Sequence, residues 1–82
     1  MTLSQIEVAM RRHVAQALDE ASQPARVIVG VEAFRTLVGA YGVERDRVRV
    51  VVHGIALNVD CQRNVPDDEV WVPVLRMPMG RA

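Results

Sequence analysis

Lysine is absent from this 82-residue chain, and cysteine, histidine and aromatic residues are scarce. A single cysteine, Cys61, excludes an intramolecular disulfide and any cysteine-rich metal site. Counted along the strand that carries it, Cys61 follows Val59 on an apolar side, so a buried small hydrophobe is expected there, not a reactive thiol. No apolar run approaches the roughly 18 residues of a membrane span, and no signal peptide is recognisable. Charge of one sign is missing too. Ten basic residues balance ten acidic ones, which argues against a strong, nonspecific grip on nucleic acid or anionic membrane. That all ten are arginine is read as the mark of a GC-rich coding genome. With Met at the start and no tag, a complete cytosolic gene product is expected.

Half of the residues are apolar, so a packed core is expected and global disorder is not. We expect one small domain over residues 1–75, followed by a flexible C-terminal tail over 76–82.

The clearest pattern is "RVRVVVHGIALNVD", residues 47–60. A two-residue turn at His53-Gly54 sets Val52 against Ile55, Val50 against Leu57 and Val48 against Val59 on one face. The other face then pairs Val51 with Ala56, Arg49 with Asn58 and Arg47 with Asp60. A slip of one residue would mix the faces, so the sorting selects the register. Gly54 supplies the positive φ of a tight hairpin turn, and His53 is read as an exposed turn residue.

Before the hairpin, Leu3, Ile6, Met10, Val14, Ala17, Leu18 and Ala21 recur at spacings of three and four, predicting an amphipathic helix over residues 3–22. Ser4 with Glu7 forms a candidate capping box, with Thr2 as a competing cap. "SQP" at 22–24 stops the helix. "ARVIVG" reads as a central strand. "VEAFRTLVGAYG" reads as a second helix with Phe34, Leu37, Val38 and Tyr41 on one face, closed by Gly42. "QRNVPDD" is a turn-rich loop, and "EVWVPVL" is a last strand in which Pro73 implies an edge. The order α-β-α-β-β-β is an α+β fold, a small antiparallel or mixed sheet with two helices on one face.

Little here points to catalysis. His13, His53 and Cys61 lack the spacing of a zinc site, and no cofactor is expected. Ser4 and Ser22 sit at predicted helix ends, where capping accounts for them. No Ser or Cys has an evident base and orienting partner. Asp67-Asp68-Glu69 is read as a solvated loop that protects a sheet edge. "VIVGVEAF" offers N–H groups at a helix start but lacks the further glycines and lysine of a phosphate loop. The protein is expected not to be an enzyme.

Two surfaces remain. Arg47 and Arg49 share the outer hairpin face, with Arg45 and Arg63 near its open end, and these four are candidate nucleic-acid contacts. Interspersed carboxylates and the lack of exposed aromatics for base stacking disfavour that use. Alternation also places Trp71 and Leu75 outward on the last strand, opposite Val70, Val72 and Val74, with Val51 and Ala56 on the same outer face. An apolar patch anchored by tryptophan is a protein-binding surface by composition.

"HGIALNVDCQRNVPDDEVWV" resembles a strand pattern towards the C-terminal end of HK97-type capsid proteins of tailed phages. Together with "IVGVEAF" (Ile28 to Phe34) it is similar to short, mostly uncharacterised phage and prophage proteins. The resemblance covers about residues 25–75, and the chain is too short to be a whole capsid protein of that type. It implies a small phage-encoded accessory protein that joins assembly, decorates a particle or binds a host factor, and it brings no catalytic residues. The expected partner is therefore protein, either a second copy of this chain or a phage or host protein. The expected location is the bacterial host cytoplasm or the virion, with no membrane association.

Overall fold

A computed structural model describes residues 1–76 of the chain, without the side chain of Arg76. The fold is α+β. Helix α1 spans Leu3–Asp19, strand β1 Ser22–Pro24, β2 Val27–Val29, helix α2 Val31–Tyr41, β3 Val48–Val52, β4 Ile55–Cys61, β5 Val70–Trp71 and β6 Val74–Arg76. Four strands form a mixed sheet in the order β3-β4-β2-β5, and β1 pairs with β6 in a separate antiparallel ribbon.

The hairpin register is the one the alternation selects. Val48 lies opposite Val59, Val50 opposite Leu57 and Val52 opposite Ile55, with Arg49–Asn58 and Val51–Ala56 between them. His53 and Gly54 both take positive φ, 50° and 78°, which suits the right-handed twist of the two strands. Next to β4, β2 runs parallel and sets Val27 beside Val59 and Val29 beside Cys61. The inward residues of these strands join Ile6, Met10 and Val14 of α1 and Ala33 and Leu37 of α2 in one core. Both helices therefore cover the same sheet face.

Three expectations are corrected here. Helix α1 ends at Asp19, not at residue 22, because Ala21 takes a φ of 55° and turns the chain into β1. Leu18, expected in the buried stripe, is 46% exposed near this early end, and Tyr41 at the end of α2 is exposed as well. The cap is Thr2: the Gln5 N–H donates to Thr2 Oγ1 at 3.2 Å and the Thr2 N–H donates to Gln5 Oε1 at 2.8 Å. This reciprocal box displaces the Ser4–Glu7 alternative by one helical start.

The last strand is not continuous. It breaks at Val72-Pro73, where proline has no N–H to offer a ladder, and the Pro73 carbonyl instead accepts the Ala25 N–H at 2.9 Å. β5 stays on the main sheet beside β2, while β6 leaves it for β1. The tail expected over 76–82 lies outside the described residues from 77 onward, and residue 76 ends β6.

Candidate interaction surface

Register defines the outer sheet face. Val51 opposes Ala56. Two and four residues beyond Ala56, the period of two places Asn58 and Asp60 on the same side. Asp60 neighbours Ile28, and Ile28 opposes Trp71, so Val51, Ala56 and Trp71 do share one face. Val51 is 69% exposed, Trp71 is 39% exposed, and Ala56 is also exposed.

The apolar residues on this face form two separate ends. Ala56 stands four residues from Asp60, about 13 Å along the strand, and Trp71 lies a further two strands across, about 10 Å. Between them run Arg49, Asn58, Asp60 and Arg26. Arg26 makes the ion pair with Asp60 at 3.3 Å; the expected cross-strand pair of Asp60 with Arg47 does not form. Parallel pairing of β2 with β4 brings Arg26 to Asp60, a neighbour invisible from the hairpin alone. Ile28, although on the outer face, is only 5% exposed. The Trp71 indole Nε1 donates to Glu69 Oε1 at 3.0 Å, which orients the ring beside the acidic loop. Leu75 is 61% exposed but belongs to β6, opposite Gln23. The break at Pro73 removes it from the face that carries Trp71.

The arginines are brought together in part. Arg45, Arg47 and Arg49 line a cavity of about 280 Å³ with Glu44, and Arg63 does not line it. A two-residue turn builds this cluster: the Glu44 N–H donates to the Arg47 carbonyl at 2.7 Å, and the Arg47 N–H donates to the Glu44 carbonyl at 3.0 Å. Its central residues, Arg45 and Asp46, have φ of 53° and 63°, a conformation that costs a non-glycine residue about 1–2 kcal/mol. Among the described residues, the ion pairs are Arg26–Asp60 and Arg35–Glu32, so none of the three cavity arginines is paired.

The remaining polar groups serve the fold. His13 is exposed, and the His53 ring Nε2 lies 3.2 Å from the Arg11 carbonyl, tying the hairpin turn to α1. Ser22 is buried in β1 and caps no helix, because the helix ends before it. Cys61 is exposed, a correction to its expected burial. Alternation does put it on the side of Val59, but it is the last residue of β4. Strand period determines which side a residue takes; it does not determine whether anything covers that side. Within the acidic run, Asp67 Oδ1 accepts the Glu32 N–H at 3.3 Å and so caps α2 from a distant loop. Among the described residues no three His, Cys, Asp or Glu side chains converge as a metal site, and no helix is long and apolar enough to cross a membrane.

Tyr41 and Glu7 are a pair that sequence reasoning missed. The Tyr41 hydroxyl donates to the Glu7 carboxylate and links α2 to α1. That hydrogen bond raises the tyrosine pKa above its ordinary 10.0, with burial and the Glu7 charge acting the same way and Arg11 opposing. Tyr41 shares a face with Phe34, Leu37 and Val38 in the sequence, but only packing of α2 against α1 selects Glu7 as its partner.

Compared with known protein families, curated proteins and solved structures, the chain finds no match in any of the three.

Proposed function

We propose that this protein is a small, non-enzymatic protein-binding module that works by self-association through its outer sheet face. The observation that carries the reading is Val51, 69% exposed on β3, an edge strand that no other described strand pairs on its free side. A bare edge with an exposed β-branched residue favours pairing with another chain. Trp71 and Ala56 extend the surface, and Leu75 adds an apolar residue on the neighbouring ribbon. The likeness to phage accessory proteins supports a role in assembly, with the particle or the host cytoplasm as its place.

The first experiment is solution mass by light scattering over about a hundredfold concentration range, since mass action exposes a concentration-dependent assembly. Mass should rise with concentration, and Trp71→Arg or Val51→Arg should hold the chain at monomer mass. An unchanged assembly in both variants would remove this face from the reading. A wild-type monomer throughout would replace self-association with a foreign phage or host protein, including the case of an inhibitor. A second reading, nucleic-acid binding through Arg45, Arg47, Arg49 and Arg63, is favoured by the three unpaired arginines around one cavity. It requires affinity that falls steeply with salt, and absence of binding at low salt excludes it.

A further inference from the structure

The two edges of the four-stranded sheet differ in charge. β3 is one edge, and residues 44–53 around it carry three arginines against two carboxylates. β5 is the other edge, and residues 62–69 leading into it carry three carboxylates against one arginine. Each edge also presents one exposed apolar residue on the outer face, Val51 beside Arg49 and Trp71 beside Glu69.

From this asymmetry we infer that a second copy of this chain docks head to tail, its Asp68–Glu69–Trp71 edge against the Arg47–Arg49–Val51 edge of the first. This rests on the reading of the outer face as a self-association surface and specifies its geometry. The alternative geometry, β3 against β3 about a two-fold axis, would bring two sets of unpaired arginines together, and like charges across an interface select against that arrangement. Opposed edges bring opposite charges together and give Trp71 an apolar neighbour in Val51. Because the two surfaces differ, each copy keeps one free edge after docking, so the contact propagates into a ring or an open filament instead of stopping at a dimer.

Charge reversal tests the geometry. One variant carries Arg47→Glu and Arg49→Glu; the other carries Asp68→Arg and Glu69→Arg. Circular dichroism and thermal unfolding establish that both fold. Each variant alone should associate at least about tenfold more weakly than wild type, and an equimolar mixture should regain the wild-type mass distribution, because each reversed edge then meets its complement. A wild-type assembly that both variants reproduce alone, or that the mixture fails to regain, overturns head-to-tail docking and leaves self-association standing. A wild-type monomer at every concentration overturns both. Salt gives an independent reading that requires no variant: wild-type mass should fall as sodium chloride rises from about 20 mM to about 500 mM, where the screening length shrinks severalfold. A mass that holds or grows with salt makes the contact apolar and overturns the charge argument.

Discussion

Tyr41 is the only tyrosine in the chain, and its hydroxyl donates to the carboxylate of Glu7 across the two helices. Its pKa is raised, so the neutral phenol is favoured in the fold. The stabilisation is complete below the ordinary value of 10.0 and is lost as pH rises through the higher folded value. Alkaline titration followed by phenolate absorbance should give a midpoint above 10.0, and Glu7→Gln should lower it; an unchanged midpoint in that variant would disprove the pairing. Residue-scale chemistry of this kind was only partly legible. Gly54 and Gly42 announced their positive φ by being glycine. Arg45, Asp46 and Ala21 did not, because their left-handed conformations are imposed by the connections they make: Ala21 joins α1 to β1, and Arg45 and Asp46 close the Glu44–Arg47 turn ahead of β3. Cys61 and Leu18 show the same limit from the side of burial, since both sit on apolar stripes at element ends where cover runs out.

At the scale of elements, α2 is the instructive case. Gly30 stands at its N-cap and has no side chain to offer, and the helix borrows Asp67 from a loop 35 residues away. Asp67→Ala should cost about 1 kcal/mol, the usual loss of a cap. In a domain of this size that lowers the midpoint of thermal unfolding by about 4–8 °C. Asp67→Asn should recover most of it. An Asp67→Ala midpoint equal to wild type would show that water serves the Glu32 N–H equally well. The same loop explains why glycine stands at residue 30: a Cβ there would lie 2.6 Å from the Val65 carbonyl and 2.7 Å from Asp67 Oδ1. The acidic run reads in sequence as a solvated loop guarding an edge, and one of its three members, Asp67, has this structural task. Nothing local in "VPDDEV" distinguishes Asp67 from Asp68, so the cap appears only once the loop is folded over β2.

At the scale of the whole molecule, 82 residues sustain about 4–12 kcal/mol of stability, and one core carries it. Leu37 is fully buried where α2 meets the sheet. Leu37→Ala should cost about 2–5 kcal/mol, a large fraction of the total, read as a drop in the denaturant midpoint. A loss below about 1 kcal/mol would mean that the helix layer closes over the gap. The sequence alone determined the α+β class, the two helices on one face and the β3–β4 register. Each of these follows from a local period, 3.6 or 2, that sorts apolar from polar residues within one stretch of chain. The placement of β2 between β4 and β5, the ion pair of Arg26 with Asp60, and the departure of β6 with Leu75 were decided only by tertiary structure. They depend on which distant strand satisfies a backbone edge, and that choice belongs to the packed whole.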